Sequence, residues 1–343
     1  MSTVNTYGDI SPRTAAFAAT QMLERALPHL CMAKFGQQVP IPKNKTQTIR
    51  LRRYNAWAPN TNPLVEGVTP NAEQMTATDV QATLQQYGRR TSLTDVVMDT
   101  HEDNVLAEYS QIMGELAGQT MEMICYSVLR AGTNVIRTGD LARNAVATAY
   151  NSTAGASLLQ RAIRQLKRQN AKPITSMLAG TDKVGTMPIR AGYVAFCHPD
   201  VQNDLETITG YKPVSEYSQI KPLGENELGA YREVRFLTST LYAPFLAAGS
   251  ATYGASLLSN GVAGTSGGSQ NADVYPIVII GKDAWGTVSL AGNTAVTPMV
   301  VNPKPSDSDP LGQRGHIGFK FYATAVILND AWMVRLEAGV LST

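Results

Sequence analysis

The stretch from Thr100 to Ala131, THEDNVLAEYSQIMGELAGQTMEMICYSVLRA, constrains the fold more than any other part of the chain. Apolar or aromatic residues recur at Val105, Leu106, Tyr109, Ile112, Met113, Leu116, Met123, Ile124 and Val128. That spacing fits a helix and no strand. Thr100, followed by Glu102 and Asp103, supplies a start signal, and Arg130 with Gly132 supplies the stop. A helix of roughly thirty residues is on the order of 45 Å long, so it must run along other elements. Gly114 and Gly118 each cost up to about 1 kcal/mol of helix propensity. Packing therefore has to hold the helix straight, and its apolar stripe is expected in the core.

A chain of 343 residues with 43% hydrophobic and 16% charged residues has enough apolar material for one large core or two smaller ones. The net charge is only +2, and Lys and Arg are scattered along the chain, which leaves no nucleic-acid footprint in the composition. Cys31, Cys125 and Cys197 lie far apart, and an odd number fits no disulfide framework, so free thiols in a reducing compartment are expected. The start, MSTVNTYGDISPR, lacks a charged segment followed by an apolar run, and no apolar run is long enough to span a bilayer. The sequence predicts a chain that is neither exported by a signal peptide nor membrane-embedded.

Ser11 and Pro12 cap a first helix whose Ala19, Met22, Leu23, Ala26, Leu27 and Leu30 share a face; a short polar arm precedes it. Thr46 to Tyr54 and Thr78 to Leu84 each alternate apolar and polar residues, as two arms of one hairpin would. The segment between them is rich in Pro and Asn, too long for a tight turn and too poor in apolar residues to bury itself. Such a ribbon should project and be covered by a neighbouring subunit. A second helix, Ala156 to Gln169, turns Leu158, Leu159, Ala162, Ile163 and Leu166 inward and Arg161, Arg164, Lys167 and Arg168 outward. A solvated face is favoured there over phosphate contact. Strands follow at Gly192–Cys197, Tyr231–Leu237 and Tyr275–Gly281, with a helix from Pro199 to Ile208 and a Gly/Ser-rich insertion from Ala247 to Asp273. Gly315 to Ala338 reads as two strands around a turn at Asn329-Asp330, the second alternating Trp332, Val334 and Leu336. The fold class is α+β, without internal repeats or a linker between independent domains.

No catalytic constellation stands out. Gly264-Thr265-Ser266-Gly267-Gly268 matches a serine-hydrolase pattern, yet its flanks are Ser/Asn/Gly-rich where the motif needs a strand and a helix. Cys197 and His198 are adjacent, so on a strand they point to opposite faces, and a strand end leading into a helix cap is the better reading. His29, His101, His198 and His316 have no metal spacing with one another or with the cysteines. Gly281-Lys282 lacks the upstream glycine of a phosphate loop. Asp307 and Asp309 read as turn formers rather than cation ligands. No cofactor is expected.

Four landmarks occur in order: Pro63-Leu64-Val65-Glu66-Gly67-Val68-Thr69-Pro70, the arm from Gln86-Tyr87-Gly88 to Thr94-Asp95, Gly281-Lys282-Asp283-Ala284-Trp285, and Asp309-Pro310-Leu311-Gly312-Gln313-Arg314-Gly315. Together they resemble the major capsid proteins of N4-like tailed bacteriophages. The resemblance covers most of the chain and weakens in the first ten residues and in 247–273. It implies the HK97-like capsid fold, with an N-terminal arm over 1–44 and an extended hairpin loop over 45–95. A peripheral domain would hold the long spine helix in 96–149 and C-terminal strands in 296–343, around an axial domain over 150–295. It further implies a non-enzymatic shell subunit that assembles in the host cytoplasm into pentamers and hexamers of an icosahedral head. Portal, scaffolding and decoration proteins would be partners, and packaged double-stranded DNA would be enclosed without sequence-specific contact.

Trp57, Leu64, Val65 and Val68 are expected to supply apolar contacts to the neighbour, with Arg50, Arg52, Arg89 and Arg90 pairing with acids across the seam. Some relatives weld this loop to a neighbour through a lysine isopeptide bond. No lysine lies between Asn55 and Thr76, so non-covalent shells are expected. The alternatives are a cellular nanocompartment shell of the same fold and a serine hydrolase using Ser266.

Overall fold

The computed structural model describes residues 31–55, 57–96, 105–140, 142–174, 192–216, 222–224, 226–251, 257–259, 262–263, 271–290, 297–301, 303, 305 and 309–341. The helix expected after Ser11, the cap at Thr100 and the motif around Ser266 lie outside them. Strands β1 (Gln37–Ile41), β2 (Thr48–Tyr54), β3 (Ala77–Thr83) and β4 (Gln85–Thr94) precede helix α1 (Val105–Arg130). Then come β5 (Val135–Arg137), α2 (Thr153–Arg168), β6 (Tyr193–Cys197), α3 (Gln202–Glu206), β7 (Tyr211–Pro213), β8 (Glu227–Tyr231) and β9 (Val234–Thr238). Strands β10 (Leu258–Ser259), β11 (Val262–Ala263), β12 (Tyr275–Ile280), β13 (Trp285–Leu290), β14 (Thr297–Val301), β15 (Arg314–Ile327) and β16 (Met333–Ala338) complete the α+β fold.

A seven-stranded sheet runs β5-β16-β12-β6-β9-β8-β7. Its central strands are buried along their whole length and divide their side chains between two cores. Tyr193, Ala195, Ile277, Ile279, Val334 and Leu336 pack toward Leu158, Leu159, Ala162 and Leu166 of α2. Val194, Phe196, Val278, Ile280 and Met333 pack with Cys125, Tyr126 and Leu129 of α1. Complete burial of one such side chain contributes roughly 1.5–3 kcal/mol, so these strands dominate the hydrophobic stabilisation. A five-stranded sheet is built on β15, which pairs with β4, β13 and β14, while β1 runs parallel to β13. Ile317, Phe319, Phe321 and Ala323 of β15 meet Met113 and Ala117 of α1.

The long helix therefore lies under both sheets, its first half against one and its second half against the other. This is why packing can override Gly114 and Gly118. The stripe expected in the core is wider than the buried face, however: Tyr109, Ile112 and Met123 are 37%, 50% and 55% exposed.

Several strand assignments change. The expected strand Tyr231–Leu237 is the second half of a hairpin, β8–β9, turning at Arg232-Glu233 with Arg232 in the left-handed region at φ 54°. Neither turn residue is Gly or Asn, so the usual hairpin signal is missing. The C-terminal pair β15 and β16 does not form a hairpin. A short 3-10 turn at Asp330–Trp332 sends β16 into the other sheet, where it pairs antiparallel with β12 and parallel with β5. Strand β13, expected with the axial segment, likewise crosses to the five-stranded sheet. Gly281-Lys282-Asp283-Ala284-Trp285 is that crossover: Asp283 is left-handed at φ 59° and Trp285 is fully buried. Part of the Ala247–Asp273 insertion does carry core, because Leu257 and Ala272 are buried against Ala149.

Two buried carboxylates tie the layers together. Glu122 on α1 accepts hydrogen bonds from the Met32 amide at 2.8 Å and the Tyr242 hydroxyl at 2.6 Å, and burial raises its pKa. Glu337 on β16 receives Arg143 at 2.6 Å, Arg137 at 2.7 Å and Arg335 at 2.8 Å. Burial pushes the Glu337 pKa up, but hydrogen bonds from Arg143 and Arg137 and the Arg335 charge outweigh it and hold it below the usual value.

Candidate assembly interface

Strands β2 and β3 pair only with each other, in register from Thr48 opposite Thr83 to Tyr54 opposite Ala77. The root of this ribbon is anchored: Ala82 and Leu84 are buried with Ile41 and Val288, and Ile49 packs beside them. Beyond the root the ribbon leaves the protein, and every residue from 57 to 79 is exposed. Within this stretch Trp57, Leu64, Val65, Val68 and Met75 are 55%, 76%, 68%, 62% and 58% exposed. The Val68 amide donates to the Val65 carbonyl at 3.1 Å, and Gly67 takes φ 78° with no atom within 4 Å of where a Cβ would stand. That is a β-turn with glycine at its left-handed position, which presents Leu64, Val65, Glu66 and Val68 together at one end. Single exposed apolar residues are ordinary; a contiguous set on an unsupported ribbon marks an interaction surface.

The four arginines divide by location. Arg50 is exposed on β2, while Arg52 is already paired within the ribbon, its guanidinium meeting Asp79 at 2.7 Å and 3.0 Å. Arg89 and Arg90 are exposed on β4. The arm expected to stay in the extended loop until Asp95 leaves it at Leu84, because residues 85–94 pair with β15 as part of the five-stranded sheet. Arg90 stands opposite Gly318 and Gly88 opposite Lys320, so a shallow groove of about 480 Å³ runs over this sheet between Arg90, His316 and Lys320 and the half-exposed Met299 and Val301.

Sequence reasoning missed Met299 and Val301 on β14, and the outer stripe Tyr109, Ile112 and Met123 on α1. The stripe was legible as an apolar set too broad for one buried face. The β14 pair had no such signal, since TPMVV reads equally well as buried strand.

Cys197 and His198 do not act as a nucleophile and its base. Cys197 ends β6 fully buried, with its pKa pushed up to about 12 by burial. His198 instead caps the next turn, its Nδ1 accepting from the Asp200 amide at 3.3 Å.

A long helix bridging two sheets, with a projecting ribbon at one end, is the HK97-like capsid fold, the architecture of shell-forming subunits. The family described as Phage capsid protein matches residues 77–275, more than half of the chain, and the chain belongs to that family. It is a phage major capsid protein that forms the head shell. No curated protein sequence matches it. Among solved structures it is similar to the capsid of Ralstonia phage GP4, at 10% identity and TM-score 0.62 over 89% of this chain and 87% of that one. It is similar to the capsid of cyanophage P-SCSP1u at 13% identity and TM-score 0.57, over 89% and 86% of the two chains. The SrpI encapsulin of Synechococcus elongatus PCC 7942 shares the fold at 10% identity and TM-score 0.52, over 100% and 93%.

Proposed function

We propose that this capsid protein closes its shell by laying the β2–β3 ribbon on a neighbouring copy, in rings of five and six that tile an icosahedral head. The observation that carries the reading is the stretch 57–79, exposed at every residue, with its apolar side chains at Leu64, Val65 and Val68. An isolated two-stranded ribbon is marginal in water, so a neighbour that covers Trp57, Leu64, Val65 and Val68 supplies the burial it lacks. Head-to-tail contacts of this kind close when the rotation per subunit matches the ring, and a compliant ribbon lets one chain serve both rings. Arg50, Arg89 and Arg90 pair with acidic side chains of the neighbour, while Arg52 stiffens the ribbon through Asp79.

The role is structural, not catalytic, and needs no cofactor. Assembly takes place in the host cytoplasm with portal and scaffolding proteins and, on the finished head, a decoration protein; the shell encloses double-stranded DNA. The four ordered landmarks favour the N4-like group within the family. A nanocompartment shell would share the fold, but the family match favours the phage head.

Negative-stain microscopy of the largest species from a sizing column tests the proposal. Rings of five or six, or closed shells, are expected. A chain that stays monomeric at millimolar concentration and in the presence of its scaffolding protein would overturn it.

A further inference from the structure

We propose that the outward face of α2, with the β8–β9 turn beside it, is a binding surface for the phosphate backbone of duplex DNA. The inference rests on the capsid reading for its setting, but not for its physics. Arg161, Arg164, Lys167 and Arg168 share this face, and the turn brings Arg232 to them. Two adjoining depressions of about 430 Å³ and 590 Å³ open between these side chains, both lined by Arg161, Arg164 and Arg168. No acidic side chain lines either depression among the described residues. The nearby Glu233 is held by Lys167 at 2.7 Å.

A merely solvated helix face mixes charges, because like charges three or four residues apart each cost about 0.2–0.5 kcal/mol. Here Arg161 and Arg164, Arg164 and Lys167, and Arg164 and Arg168 all stand at those spacings on one helix. The whole chain carries 29 basic and 27 acidic residues, so the segregation is local rather than compositional. From Arg161 to Arg168 the face spans about 10 Å at 1.5 Å per residue. Along one strand of duplex DNA that length passes about three phosphates, spaced roughly 3.4 Å along the axis. Guanidiniums suit this task, since their planar fork meets phosphate oxygens two at a time. Contacts to phosphate oxygens carry no sequence information, so binding through this face is irrespective of sequence. That matches the demand on a container wall.

The test is fluorescence anisotropy of a short labelled duplex with the full-length, unassembled chain, between about 50 and about 200 mM salt. With four guanidiniums engaged, affinity should fall roughly a hundredfold across that range, and a duplex of another sequence should bind equally. In the Arg164→Gln/Arg168→Gln variant the fall should shrink to roughly tenfold. Its unfolding midpoint and assembled particles should match the parent. A parent chain that does not bind duplex overturns the proposal, and so does a variant that binds as its parent does. A variant that keeps DNA binding but loses assembly overturns it in favour of a contact with an acidic surface of another subunit. Particle formation is read separately, so DNA binding without rings or shells, even with scaffolding protein present, would sink the proposed ribbon-mediated assembly and leave this surface standing.

Discussion

At the scale of single residues, Glu337 is the most consequential side chain outside the apolar core. It is fully buried and is met by three guanidiniums, from β5, from the segment before α2 and from its own strand. Removing one partner of a buried ionic cluster is costly, about 3–5 kcal/mol, because the remaining charges stay desolvated. Glu337→Gln should therefore lower the unfolding midpoint of the unassembled chain strongly, which calorimetry would read. The sign of the pH effect follows from its depressed pKa. The stabilisation is present above the unfolded value near 4.5 and is lost as pH falls through the lower folded value. Acidification should thus narrow the gap between parent and variant; a constant gap would mean that Glu337 acts through shape alone. Arg335 and Glu337 share a face of β16 two residues apart, but sequence reasoning could not complete the cluster, since Arg137 arrives only through the pairing of β16 with β5 and Arg143 only through the packing of the segment before α2.

At the scale of elements, the ribbon and the spine helix obey different physics. Leu64 at the ribbon tip is 76% exposed, so Leu64→Asp should leave the midpoint of the unassembled chain within about 0.5 kcal/mol of the parent. The same change should abolish or sharply slow particle formation, because a carboxylate would be buried unpaired against the neighbour. Normal assembly of Leu64→Asp, followed by light scattering, would remove Leu64 from the interface. The helix was legible as an element because periodicity and end signals agree over some thirty residues. Its burial was legible only in part: Met113, Ala117 and Leu129 are buried, whereas Tyr109, Ile112 and Met123 face outward. A helical wheel reports which residues share a face; it does not report how much of that face a sheet is wide enough to cover.

At the scale of the whole molecule, the absence of lysine from Asn55 to Thr76 bears on the finished shell. Particles boiled in detergent and reducing agent should run as a single band near 36.9 kDa on a gel, and a covalent ladder would show a cross-link that the tip cannot supply through lysine. The sequence by itself determined the α+β class, the existence of α1 and α2, the projecting ribbon and the basic face of α2. These are local properties, set by periodicity, turn chemistry and a segment between the ribbon arms too poor in apolar residues to bury itself. Only the tertiary structure decided which sheet each strand joins. Strands β4, β13 and β16 each cross from the neighbourhood the chain order suggests, because strand pairing is chosen by the packing of the whole chain and not by proximity in sequence. Alternation along β16 marks Val334 and Leu336 as one face and Met333 and Arg335 as the other. It cannot say that helices wait on both sides.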